Sequence, residues 1–188
     1  SRRLAASFLA HDDQVSVIVA AEHGAEAVRE ARLDVVPCYR RGDDYADDVF
    51  RTVRDAGAQV VHFQHAPDLL GEDARLPRLC SRLREAGVST IVTLHSVYGP
   101  RRWRVLLLRA PTSSFHRALA SAADRLVVHH REGCALPLAA QGLDVERVAV
   151  IPHGTSHDPD HDVSLARARL GLPQHDVVLA FLGSIWWG

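Results

Sequence analysis

Short, unbroken runs of apolar residues recur along this chain, each separated from the next by a longer amphipathic stretch, and that alternation limits the fold more than any other feature. Arg2 to Ala10 has helical spacing through Leu4, Phe8 and Leu9, and Val15 to Ala20 is a compact β-branched run that reads as a strand. A short helix is expected over Ala25 to Ala31 and a brief extended piece at Val35-Val36-Pro37. The following cycles are sharper. Tyr45 to Ala56 reads as a helix closed by Gly57, then Gln59 to Phe63 as a strand; Ala74 to Ala86 as a helix closed by Gly87, then Thr90 to Leu94 as a strand. Helix Phe115 to Ala123, strand Leu126 to Val128, helix Glu132 to Ala140 and strand Val148 to Ile151 complete the series. Strands that are continuously apolar are buried on both faces, as in a parallel sheet covered by helices. The expected fold class is therefore α/β, a doubly wound parallel sheet of Rossmann-like type.

A second alternation begins near the C-terminus. After Val148 to Ile151 comes the polar stretch Gly154 to Asp162, broken by Pro159, and then a helix over Ser164 to Leu170 with Asp162 or Ser164 as its N-cap. Gly171-Leu172-Pro173 follows, and Val177 to Leu182, ending at Gly183, reads as a fresh strand. The expected organisation is one lobe over 1–154 and, over 155–188, a linker, helix and first strand of another.

Length and composition bound the rest. With 188 residues, 47% of them apolar and 24% charged, the chain has enough material for a sizeable core. A formal charge of −1 gives no basic footprint for a nucleic acid. All 22 basic residues are arginine, as a GC-rich bacterial genome would encode, and the absence of methionine fits a chain that starts away from its natural beginning. Cys38, Cys80 and Cys134 are odd in number and far apart, so reduced thiols in a cytoplasmic protein are expected rather than a disulfide framework. No apolar run reaches the roughly 18 residues of a spanning helix.

Ligands of open parallel sheets bind beyond the carboxyl ends of the strands. In this chain those positions are Glu22-His23-Gly24, Gln64-His65, His95-Ser96-Val97-Tyr98-Gly99, His129-His130 and His153-Gly154. Imidazole titrates near neutrality and hydrogen-bonds to hydroxyls and phosphates in either sense. Such a row of histidines points to a cleft for a polar small molecule.

Val60 to His65, Ile91 to Ser96, Ala123 to His130, and Val148 to Gly154 followed by Arg169 to Pro173 resemble, in order and spacing, the family 4 retaining glycosyltransferases of GT-B architecture. The resemblance spans nearly the whole chain and implies two Rossmann-like lobes, the N-terminal one shaping the acceptor site and the C-terminal one holding a nucleotide-sugar donor. It implies a catalytic role for His95 beside the donor phosphate, acceptor contacts from Gln64, His65, Ser96 and Tyr98, and donor-side or hinge roles for His130, His153, Gly154 and Gly183. It implies no metal and no cofactor beyond the donor, and a hydroxyl acceptor on a glycan, a lipid carrier or a small molecule.

The departures from the family are equally specific. The family's first strand and glycine-rich loop have no counterpart before Arg2, His130 stands where relatives carry serine, and Ser184-Ile185-Trp186-Trp187-Gly188 follows Gly183 where relatives have an arginine that grips the donor diphosphate. The expectation is thus a piece of the enzyme that is inactive alone. A non-catalytic sugar-binding or partner-binding lobe and a nucleotide-sugar epimerase of similar bilobal shape are the alternatives.

Other chemistries find little footing. His62 and His65 fall on opposite faces of a strand and Pro159 separates His157 from His161, so neither pair suits a metal ion. Arg101-Arg102-Trp103-Arg104 could touch an anionic membrane surface, which would make the protein peripheral at the inner face of the membrane. No Walker loop or Gly-x-Ser-x-Gly elbow is present.

Overall fold

The computed structural model describes residues 2–40, 43–97, 111–154 and 162–179. The chain divides into two compact units, residues 1–153 and 154–188. Tyr98 and Gly99, the Arg101 to Arg104 patch, His157, His161, Gly183 and the tryptophan pair lie outside the described residues.

Among the described residues the first unit holds two sheets. Helix α1 (Arg2–His11) leads into β1 (Val17–Glu22), then β2 (Val28–Arg29) and β3 (Leu33–Tyr39), which pair in the order β1-β3-β2. β1 and β3 are parallel, with an irregularity of register between Ala21 and Glu22, while β2 runs antiparallel to β3 through Val28–Val35 and Arg29–Asp34. The helix expected over Ala25 to Ala31 is therefore a turn into a short strand. Seven residues are too few to sustain an isolated helix, and pairing with β3 gives their backbone groups a partner instead. Pro37, which lacks a ladder donor, lies beyond the reach of β2.

The second sheet is the larger. After α2 (Ala46–Asp55) come β4 (Val60–His65), α3 (Pro67–Leu70), α4 (Arg75–Glu85), β5 (Ser89–Leu94), α5 (Pro111–Ala122), β6 (Arg125–Val128), α6 (Leu136–Ala140) and β7 (Val148–Val150). β4, β5, β6 and β7 pair in sequence order, all parallel, and helices flank them in a Rossmann-like arrangement. Leu76, Leu79, Cys80 and Leu83 recur at helical spacing along α4 and are at most 1% exposed. They pack in one core with Val49 and Val53 of α2, Phe115 and Leu119 of α5, and Phe63, Val92, Leu94, Leu126 and Val128 of the strands. On the outer side Arg82 of α4 pairs with Asp47 of α2 and lies over the Phe50 ring.

Glycine closes these helices as the sequence suggests: Gly57 and Gly87 adopt φ of +62° and +79°, the left-handed conformation that costs other residues most. The helix expected over Glu132 to Ala140 is split. A π-helical turn, Arg131–Ala135, precedes α6 because Pro137 has no N–H for an interior bond, so the helix restarts with Pro137 in its first turn.

At the amino end of the strands, Asp124 ties two of them together. Its carboxylate accepts from the Thr90 backbone N–H at 2.7 Å and from the Thr90 hydroxyl at 3.2 Å, while the Asp124 N–H returns to the Thr90 carbonyl at 3.0 Å. Thr90 is fully buried, so this bonding meets the polar needs of a group that water does not reach.

All three cysteines are unpaired. Burial pushes the Cys80 thiol up to about 12, which leaves it protonated and unreactive. No described helix is long and apolar enough to cross a membrane.

The second unit contains α7 (Val163–Arg169), capped by Asp162, whose carboxylate accepts from the N–H groups of Ser164 and Leu165. The strand expected over Val177 to Leu182 is not formed in its described part, since residues 177–179 are unpaired and exposed.

Candidate functional site

The parallel register brings the carboxyl ends of β4 to β7 to one edge, and the side chains just past those ends meet there. The ladder continues one step beyond the strands: the His95 N–H donates to the His65 carbonyl at 3.0 Å, and the Ile151 N–H to the Val128 carbonyl at 2.8 Å. The backbone under His95 and His153 is thereby pinned to rigid strands, which is how sheets hold functional side chains in place.

Four imidazoles and an amide form the cluster. On the face of β4 opposite its core residues, His62 and Gln64 sit two residues apart, as strand periodicity requires. The His62 Nε2 lies 2.7 Å from the Thr93 hydroxyl and 3.0 Å from the Gln64 amide nitrogen. The Gln64 carbonyl oxygen accepts from His95 Nε2 at 2.9 Å. Across from it, His95 Nδ1 stands 3.2 Å from His129 Nε2, and His129 Nδ1 donates to the Ile151 carbonyl at 2.9 Å. The His153 ring stacks on His129 with centroids 3.5 Å apart and lies 5.9 Å from the His95 ring. His95 and His153 are exposed and His129 is half-buried, so the group opens to solvent.

Burial lowers the basicity of His95, and the neighbouring His129 and His153 lower it further by mutual repulsion of charge. Burial alone lowers His62. At neutral pH His95 and His62 are therefore neutral hydrogen-bonding groups.

The residues expected at the site divide accordingly. His95, Gln64 and His153 meet in the cluster. Ser96 follows His95 directly and is half-buried. His65, expected at the mouth of an acceptor site, is instead sealed in the core: it is 0% exposed, its Nε2 donates to the Gly71 carbonyl at 2.8 Å, and its ring lies 5.0 Å from that of Phe115. It shares the face of Phe63, two residues before it, and that face is the one covered by helices. His130, expected on the donor side, caps the π-helical turn by accepting from the Gly133 N–H at 2.9 Å. The same Nδ1 lies 3.5 Å from the Glu132 carboxylate, but a nitrogen that accepts an N–H carries no proton, so the contact is not an ion pair in that state. Gly154 opens the second unit without a positive φ, so its turn does not draw on glycine's special freedom.

Sequence reasoning missed His62 and Thr93, and gave His129 no role beyond a strand end. The signal for the first was present as the His62–Gln64 spacing. The meeting of His129 with His153 depends on β6 pairing with β7, which no local pattern encodes.

The buried His65 gives the protein an acid-sensitive core. Burial outweighs the favourable hydrogen bond to Gly71 and the nearby Glu72 carboxylate, and His116 also opposes protonation, so His65 is lowered in the folded state. The unfolded chain then binds the proton more readily. The resulting stability is full above the ordinary histidine value of about 6.5 and is lost as pH falls below it, towards the lower folded value. Denaturant unfolding between about pH 7.5 and 5.5 should show stability dropping with acid, and His65→Gln, which keeps a donor for Gly71, should flatten that slope. An unchanged slope in the variant would remove His65 as the cause.

No protein-family model matches the chain, and a search of curated proteins finds no match either.

Proposed function

We propose that the first unit is the acceptor-side lobe of a retaining glycosyltransferase of GT-B architecture, moving a sugar from a nucleotide-sugar donor to a hydroxyl acceptor. The observation that carries this reading is the cluster of Gln64, His95, His129 and His153 at the carboxyl edge of a parallel sheet, in which Gln64 bonds His95 and the His153 ring stacks on His129. That edge is where open α/β sheets take their ligands, and the four side chains offer the mixed donors and acceptors that sugar hydroxyls and phosphate oxygens require.

The chemistry follows from charge. Breaking a glycosyl–phosphate bond leaves the bonding electron pair on the departing phosphate, and a preorganised donor aimed at that oxygen lowers the barrier. His95 is the residue assigned to it: its ring is exposed, and its Nε2–H, which rests on the Gln64 carbonyl oxygen in the free protein, turns to the departing oxygen when the donor binds. The acceptor hydroxyl oxygen forms the new bond to the anomeric carbon as the glycosyl–phosphate bond breaks, and its proton passes to the departing phosphate oxygen. In this reading the second unit opens the donor-binding lobe, and the protein works in the cytoplasm or at its membrane face.

The test is product analysis on the full-length gene product with a panel of nucleotide sugars. The expected outcome is release of the nucleoside diphosphate with the sugar joined to a hydroxyl in the donor's anomeric configuration. Recovery of a nucleotide sugar inverted at a ring carbon, without transfer, would replace this reading with an epimerase.

A further inference from the structure

The hydrogen bonds around the histidine cluster fix where its protons lie. His95 Nε2 faces the Gln64 carbonyl oxygen and His129 Nδ1 faces the Ile151 carbonyl, and both oxygens only accept. Each of these nitrogens is therefore the N–H of its ring. When both rings are neutral each has one N–H, so His95 Nδ1 and His129 Nε2 then carry bare lone pairs, and those two atoms confront each other at 3.2 Å. Two lone pairs at that separation repel unless a positive centre lies beside both.

From this geometry we infer that His95, His129 and His153 bind a divalent transition-metal ion of the zinc class, with a coordination position left open to solvent. Tetrahedral zinc with Zn–N bonds of about 2.0–2.1 Å sets its ligand nitrogens about 3.3 Å apart, close to the 3.2 Å found between His95 and His129. One ligand nitrogen from each of the three residues lies within 4.8 Å of the others. His153 stands in an exposed segment past the end of β7, and rotation of its side chain off the face of His129 closes the remaining gap.

The surroundings are those of a metal site rather than of three adjacent surface histidines. Ligating histidines give their second N–H to a carbonyl or carboxylate, which orients the ring and raises its basicity. Gln64 does this for His95 and the Ile151 carbonyl does it for His129, while Gln64 is itself held by His62, which contacts Thr93. Imidazole ligands favour zinc, copper, nickel and cobalt over magnesium and calcium. Three ligands from three strand ends leave the fourth position for water or an anionic oxygen. This site is distinct from the two histidine pairs that the sequence makes unsuitable, and it stands independently of the glycosyl-transfer reading, because its test reads the metal and not turnover.

The experiment is calorimetric titration of the chelator-treated full chain with Zn2+ near pH 7.5. One ion should bind with a dissociation constant in the micromolar range or tighter, Co2+ should give the visible absorption of a tetrahedral site, and Mg2+ should not compete. His129→Ala and His153→Ala should each weaken binding about 100-fold or more, and Gln64→Ala about 10- to 100-fold through the lost support of His95. His11→Ala, at the end of α1, should bind as the parent does. Circular dichroism checks the fold of each variant, and if His129→Ala fails to fold, the exposed His153 decides. Zinc binding that survives His153→Ala unchanged, or no binding by the folded parent, would overturn the site and leave a direct His95–His129 hydrogen bond in its place.

Discussion

His95→Ala should lower the rate of sugar transfer by about 100- to 1,000-fold, the loss typical of removing one preorganised donor from a developing oxyanion. The effect should fall on kcat, with a smaller change in the KM for the donor, because the contact strengthens as charge collects on the leaving phosphate. The variant should fold normally, since the His95 ring is exposed and outside the core. Steady-state kinetics on the full-length gene product, with thermal unfolding as the control, checks both parts. Wild-type kcat in His95→Ala would sink the assignment. A smaller fall in Gln64→Ala, about 10-fold, would indicate that Gln64 acts through the orientation of His95, as its hydrogen bond suggests.

Leu83→Ala should be the most damaging single change in the core. Leu83 is 0% exposed on α4, packed in the cluster that joins the helices to the strands, and its carbonyl accepts the N–H of Val88 where the chain turns into β5. Truncating such a leucine costs about 2–5 kcal/mol, the transfer energy of the lost methyl groups plus the cavity they leave. For a unit of this size that is a fall in Tm of roughly 4–20 °C, at about 2–4 °C per kcal/mol. Arg78→Ala, an exposed neighbour on the same helix, should change stability by about 0.5 kcal/mol or less. A loss below about 1 kcal/mol for Leu83→Ala would mean that the surrounding side chains collapse into the space.

The larger sheet was legible in the sequence because its strands are continuous apolar runs and helices α2 and α4 end in glycine. β4 to β7 and α4 to α5 lie within a few residues of their expected limits. What escaped is what tertiary contact decides. β2 exists only as the partner of β3, and the π-helical turn depends on the local conflict between Pro137 and a continuous helix. At the site, strand-end position identified His95, Gln64 and His153 but could not tell His65 from them. The alternation through Phe63 holds that distinction, and once the covered face is known His65 belongs to the core. The reading of the strand-end histidines as separate polar contacts also concealed their convergence, which follows only from the pairing order of β5, β6 and β7.

The Asp124–Thr90 junction has a consequence for the opposite end of the sheet. Thr90 and His95 are separated by five residues along β5, and Asp124 and His129 by five along β6. A strand is nearly inextensible at about 3.3 Å per residue, so tying Asp124 to Thr90 sets the height of His95 against His129 from about 16 Å away, much as two rulers clamped at their zero marks agree at every graduation. Precision at the open edge is thus manufactured at the closed one, by residues that never meet a ligand.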